Sequence, residues 1–167
     1  MAVTQNLARL SDAMISECTT STGTLDDVCS FRGLKSSEYL DLDWAPTLLK
    51  QAAVTADVHA ELLEALDRAT RGEGEVNPAY RDVPDTIWEH PVSSLRSTRV
   101  AEIDKSLQAL ARLDFLSVQN VHDAFDRLPQ FERPDRPAEY LREHFRALCD
   151  FYRGAAARGL GTLMWWD

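Results

Sequence analysis

The end of the chain constrains its fold more than any other stretch. Leu160-Gly161-Thr162-Leu163-Met164-Trp165-Trp166-Asp167 is apolar, carries two tryptophans and directly follows a helix stop at Gly159. Left loose in water, such a segment would expose surface that invites aggregation. Its residues suit a half-buried pleated strand, so it is expected in a sheet against the helix before it. That helix is the longest in the chain. It starts at Pro137 or Ala138, buries a stripe of Leu141, Phe145, Leu148, Tyr152 and Ala155, and ends on Gly159 as its C-terminal cap. A long amphipathic helix packed on a terminal strand gives the class α+β, a compact helix-rich domain with a small sheet that includes the C-terminal strand.

Other helices follow from the same spacing. Val100, Ile103, Leu107 and Leu110 recur at intervals of three and four after Ser97-Thr98. Val118, Val121, Phe125 and Leu128 repeat the pattern after a Ser117 cap, and Pro129 stops it. Residues 129–137 hold three prolines and read as a rigid connector. Between 57 and 70, Val58, Leu62, Leu66 and Ala69 mark a further helix, widened by Leu63 and closed by Gly72-Glu73-Gly74. Near the start, Leu7 and Leu10 precede Ser11-Asp12, a cap for a short helix through Ile15. Residues 19–24, Thr-Thr-Ser-Thr-Gly-Thr, read as a polar loop. Glu38-Tyr39-Leu40-Asp41-Leu42-Asp43 alternates acidic and apolar residues, a strand pattern. Asp43 would then cap a helix from Trp44, with Pro46 in its first turn. Residues 85–90 read as a short strand that Pro84 and Pro91 confine to an edge or a turn.

Composition excludes several function classes. The 167 residues fit one domain, 1–167, able to bury a core without staples. No stretch approaches the ~18 consecutive apolar residues of a membrane span, and Met1 to Leu7 lacks the basic start and apolar run of a secretory signal. Cys18, Cys29 and Cys149 are an odd number at irregular spacing and form no disulfide framework. These features point to the cytoplasm. Net charge is −9, and residues 1–90 carry 16 acids against 7 bases, whereas residues 91–167 balance at 11 of each. An acidic chain of this kind disfavours a nucleic-acid backbone and suits a basic protein partner or a solvated, solubilising surface.

Three segments together resemble the YfbM-like family, a bacterial family of domains of unknown function. Leu7-Ala8-Arg9-Leu10-Ser11-Asp12-Ala13 is similar to the family's opening strand-to-helix segment, and Tyr39-Leu40-Asp41-Leu42-Asp43 to its central leucine-aspartate motif. The third segment runs from Tyr140-Leu141 through Phe151-Tyr152, Ala155-Ala156 and Gly159 to Trp165-Trp166-Asp167. Val100-Ala101-Glu102-Ile103 through Leu110 fits the family's mid-chain helix. The resemblance implies a compact α+β domain and no established reaction. Family members place a tryptophan-histidine pair and a further histidine just after the aspartates. Trp44-Ala45-Pro46-Thr47-Leu48-Leu49 has no histidine, which puts any activity resting on those histidines in doubt here.

No catalytic motif is present. GxSxG, HExxH and glycine-rich phosphate loops are absent, and Gly72-Glu73-Gly74 is acidic and would repel phosphate. His59, His90, His122 and His144 lie at no zinc-ligand spacing, so neither metal nor cofactor is expected. Asp41 and Asp43 stand at positions that share one face of a strand, where two carboxylates can hold a divalent cation or share a proton. In the simpler reading Asp41 faces solvent and Asp43 caps the next helix. His90 sits beside Trp88 and Glu89 and before Pro91, an arrangement that can stack on a ligand and switch a proton, or simply anchor a long loop. Arg142 and Arg146, one turn apart near Glu139 and Glu143, read as salt-bridged on a solvated face.

Two functional readings emerge. The first is a non-enzymatic binding or interaction protein whose acidic N-terminal part meets a basic protein. The second is a small enzyme or small-ligand binder whose pocket lies where Asp41 and Asp43 meet Trp88 and His90, walled by the C-terminal tryptophans.

Overall fold

The computed structural model describes residues 4–88 and 91–167. Among them, the elements run in order β1 (Gln5–Leu10), α1 (Asp12–Cys18), α2 (Thr22–Cys29), β2 (Tyr39–Asp41), α3 (Ala45–Thr55), α4 (Ala60–Arg71), β3 (Gly74–Glu75), β4 (Ser93–Leu95), α5 (Ser97–Leu110), α6 (Val118–Arg127), α7 (Pro137–Ala157) and β5 (Gly161–Trp166). The class is α+β and helix-rich. The five strands form one antiparallel sheet in the order β2-β1-β5-β4-β3. The C-terminal strand is its centre.

Strand alternation decides which core each residue joins. In β1 and β5, Leu7 opposes Met164 and Ala8 opposes Leu163. Leu7 and Met164 enter a large cluster made with α3 to α7. Ala8, Leu10, Leu163 and Trp165 enter a second cluster made with Ile15, Cys18, Leu25, Val28 and Cys29 of α1 and α2 and with Val76, Trp88 and Val92 of the β3–β4 connection. The sheet is thus covered on both faces, as a central strand with apolar residues in both registers requires.

The helices obey their spacing. Val100, Ile103, Leu107 and Leu110 of α5 are all buried, as are Leu141, Phe145, Leu148, Tyr152 and Ala155 of α7. Ser117 caps α6 by accepting from the Asn120 N–H, although Val118, its first apolar residue, is exposed. Tyr152 is wholly buried, donates to the Ala69 carbonyl at 2.7 Å and lies 3.4 Å from Thr162 Oγ1. It ties α7 to α4 and β5 at once.

Four local expectations change. The polar stretch 19–24 is a loop only through Ser21, and its second half starts a helix: Ser21 accepts from the Thr24 N–H, and Leu25, Val28 and Cys29 supply the buried face of α2. The first helix runs on to Cys18 because Cys18, like Ile15, is buried. Asp43 does not cap α3. It adopts a left-handed φ of 50°, Trp44 takes the cap position, and no side chain caps the helix. The strand expected over 85–90 is absent through Trp88, while Glu89 and His90 lie outside the described residues. The strand in this region is β4, beyond Pro91.

Two predictions follow from this packing. A Cβ on Gly161 would stand 2.6 Å from the Leu95 carbonyl oxygen and 2.5 Å from Ile15 Cδ1, and the carbonyl belongs to a paired strand that cannot retreat. Gly161→Ala should therefore cost about 3 kcal/mol, read from urea unfolding midpoints. The second concerns Glu73, which pairs with Arg99 of α5 and Arg68 of α4. Hydrogen bonding from Arg99 holds its carboxyl below the usual range. A lowered folded-state value stabilises above the unfolded carboxylate pKa, and the benefit disappears as pH falls through the folded value. Glu73→Gln should lower the unfolding midpoint modestly at neutral pH, and the gap to wild type should close in acid.

Candidate functional site

The residues nominated from the sequence fall in separate places. Asp41 is exposed, and its Oδ1 accepts the Asp43 N–H at 2.7 Å. Asp43 lies beyond the end of β2 and turns away from the strand with its left-handed backbone, so the shared strand face does not extend to it. Its carboxylate accepts the Tyr140 hydroxyl at 2.9 Å. The Tyr140 ring stands 4.3 Å from that of His144, whose Nδ1 lies 2.8 Å from the Tyr140 carbonyl. Burial, then the hydrogen bond to Asp43, pushes the Tyr140 hydroxyl pKa up. The cluster is a latch between the β2–α3 turn and α7.

Trp88 sits at the other side of the sheet. It is buried in the second cluster with Val76, Val92 and Trp165, on the connection from β3 to β4, while Asp41 and Asp43 border β2 at the opposite edge. The structure therefore does not gather Asp41, Asp43 and Trp88 into one pocket. His90, the fourth nominated residue, lies outside the described residues. Among the described residues, no three His, Cys, Asp or Glu side chains converge on one point where a metal ion could sit.

A different site is built from residues that sequence spacing did not connect. A cavity of about 710 Å³ opens beside the large core, between the N-terminus of α3, the C-terminus of α4 and the end of β5. Such a volume falls in the range that takes small molecules. Gln5, Thr70, Met164 and Trp166 line its inner part, and Lys50, Asp67 and Arg71 carry the charges. Asp67 Oδ1 is shared by Lys50 Nζ and, at 3.4 Å, by Arg71 Nε.

Gln5 is the unusual member. It occupies a core-facing position on β1 and is 1% exposed. Its Nε2 donates to the Thr70 carbonyl at the end of α4, which fixes the amide orientation, and its Oε1 has no donor among the described residues. A buried amide oxygen without a donor costs about 1–3 kcal/mol, so its place at the edge of a cavity calls for a reason. In sequence it is one of three polar residues of β1, with Asn6 and Arg9, and nothing there set it apart. Of the two tryptophans expected as pocket walls, Trp166 lines this cavity and Trp165 is buried on the opposite face of the sheet.

The fold defines a class, a five-stranded antiparallel sheet centred on its C-terminal strand, with the longer helices on one face and the two short N-terminal helices on the other. One solved structure with this architecture is YfbM from Escherichia coli, described as a protein of unknown function. It matches 98% of this chain and 99% of its own at a TM-score of 0.63 and 16% identity. The chain has the YfbM-like fold, in agreement with the resemblance read from its sequence. No family model matches the chain, and no curated protein does.

The thiols give a direct check on the burial described. Cys18, Cys29 and Cys149 are free and buried. Burial, then the charge of Glu17, pushes Cys18 to about 11, and burial, then Asp150, pushes Cys149 to about 11. Burial raises Cys29 further. Since the thiolate is the reacting species, iodoacetamide at mildly alkaline pH should leave all three unmodified in the folded protein and alkylate all three in denaturant, as read by intact mass.

Proposed function

We propose that this chain is a non-enzymatic binding protein whose site is the cavity bounded by α3, α4 and β5. The observation that carries the reading is the cavity itself, about 710 Å³ and lined by Met164, Trp166, Lys50, Asp67 and Arg71. Trp166 offers an aromatic wall, and Lys50 and Arg71 offer charge at the rim. Among the described residues the lining holds no histidine or cysteine, the groups most often used as general bases or nucleophiles near neutral pH. The three free thiols suit a reducing compartment, and we place the chain in the cytoplasm.

A basic protein partner on the acidic N-terminal part is the second reading, supported by the charge asymmetry. Seven of the sixteen acids of that part are engaged in ion pairs, chiefly with its own bases. Asp26 and Asp27 pair with Arg32, Glu38 with Arg9 and Arg158, Glu64 and Glu73 with Arg68, Glu73 also with Arg99, Asp67 with Lys50 and Arg71, and Glu75 with Arg81. Two of these arginines, Arg99 and Arg158, come from the neutral C-terminal part. These pairs leave most of the acidic surplus in place, and we favour the cavity because it is a formed concavity of ligand size.

The test is an amide-detected NMR screen with a library of small rigid carboxylates, amines and neutral aromatics. The expected result is shifts at the Gln5 side-chain amide, Thr70, Ser93 and the Trp166 indole. Thr47→Trp, at an exposed position on the rim, should abolish those shifts while leaving the unfolding midpoint near wild type. A library that moves no resonance, or moves only resonances remote from the cavity, overturns the proposal.

A further inference from the structure

We infer that a second cavity, between α7 and the connection from α5 to α6, binds a small monocarboxylate with an apolar body. It shares no lining residue with the cavity bounded by α3, α4 and β5, and the inference does not depend on that site. Its volume is about 330 Å³, at the small end of the range for ligand sites. Its lining residues and their neighbours along the chain are all among the described residues.

The inner wall is apolar. Phe115, Leu116, Phe145 and Cys149 line it and are buried, with the two phenylalanine rings edge-to-face at 4.9 Å. Leu113 also belongs to the lining and is 46% exposed. A bridge between two helices borders the same space: Arg153 of α7 donates to Gln108 of α5 at 2.7 Å and to Asp150 at 2.9 Å. An apolar body seated beside Leu113 and the rings removes carbon surface from water on both sides of the contact.

The anion is read from two arginines. Their spacing on α7 leads one to expect ion pairs between Arg142 and Arg146 and the nearby Glu139 and Glu143. The structure does not form them. Glu139 pairs with Arg136, and among the described residues neither Arg142 nor Arg146 has a carboxylate partner. Arg142 is held by a neutral group instead, its Nη2 donating to the Leu116 carbonyl at 2.8 Å. That contact fixes the guanidinium beside the apolar wall and leaves N–H groups for a carboxylate in the two-pronged geometry such groups favour. Arg146, one turn further along, lines the same cavity. Asp150 is already paired with Arg153, and Asp114 offsets one of the two remaining cations. The lining therefore carries three arginines against two aspartates, a surplus that one negative charge neutralises and a dianion would overshoot.

The experiment is an amide-detected NMR titration of the whole protein with 3-phenylpropanoate, its uncharged amide 3-phenylpropanamide, and acetate. The acid should shift Leu113, Phe115 and Cys149, and the amide and acetate should each bind about tenfold or more weakly. Arg146→Gln, at an exposed position, should weaken the acid several-fold, leave the amide unchanged and keep the unfolding midpoint near wild type. Arg112→Gln, exposed and outside the lining, should change neither ligand. Equal binding of acid and amide, or an acid affinity that Arg146→Gln leaves intact, overturns the anion. Acetate binding as tightly as 3-phenylpropanoate overturns the apolar body. Equal losses from Arg112→Gln and Arg146→Gln mark a diffuse surface field and overturn the site. Shifts confined to Thr70, Ser93 and Trp166 overturn this inference and leave the other cavity as the binding site, whereas shifts confined to Leu113, Phe115 and Cys149 support it and count against the other.

Discussion

β5 is hydrogen-bonded along both edges, to β1 on one side and β4 on the other, and every layer of the molecule is assembled on it. A central strand has to satisfy three conditions at once. Its backbone needs partners on each edge, its even positions one core and its odd positions another. Gly161-Thr162-Leu163-Met164-Trp165-Trp166 meets them in order. Leu163 and Trp165 go down among α1 and α2, Thr162 and Met164 up under α4 and α7, and Gly161 leaves space where Leu95, Ile15 and Asp12 crowd the backbone. A one-residue slip would turn Trp165 toward Tyr152 and reverse both cores.

The same strand explains where the cavity lies. Tyr152 and Thr162 draw α4 down onto one end of β5 through the Ala69 carbonyl. One residue further along α4, the Thr70 carbonyl is held by Gln5 from the neighbouring strand. These two contacts pin the C-terminus of α4 over the sheet, and the space between it and the α3 start is left open above Met164 and Trp166. Filling that position with leucine in place of Gln5 would give an ordinary apolar core. The polar side chain there instead holds the last turn of α4 through the Thr70 carbonyl.

How much of this was legible in the sequence depended on the range over which each signal acts. Leu107 and Tyr152 were legible because an amphipathic helix repeats its signal over several turns. Trp165 was legible because two adjacent tryptophans after a helix stop have few other destinations. β3 and β4 span two and three residues, too short for alternation to register. Asp43 was misjudged as a cap because a left-handed φ leaves no mark on composition when the residue is aspartate, one of the types that tolerate it. The threonines and serine of 19–24 read as a loop because capping residues and loop residues are chemically the same. The cavity was beyond local reading. Gln5, Lys50, Thr70, Ser93 and Trp166 come from five different elements, and only the sheet order brings the second residue of the described chain beside the second-last.

Charge separation within the molecule bears on what such a cavity can do. Most acidic residues lie on outer surfaces, where solvent and counterions screen them over about 10 Å. The Lys50–Asp67–Arg71 group lines the cavity beside Pro46, Pro91 and Trp166, with the Arg71 and Lys50 side chains still open to solvent. The acidic exterior then repels anions at long range while the cavity attracts them at short range. That arrangement slows encounter more than it weakens the bound state, because long-range repulsion acts on approach and local contacts act on release. Raising salt would relieve the first effect before it touched the second, so added salt should speed association with any anionic ligand more than it speeds dissociation.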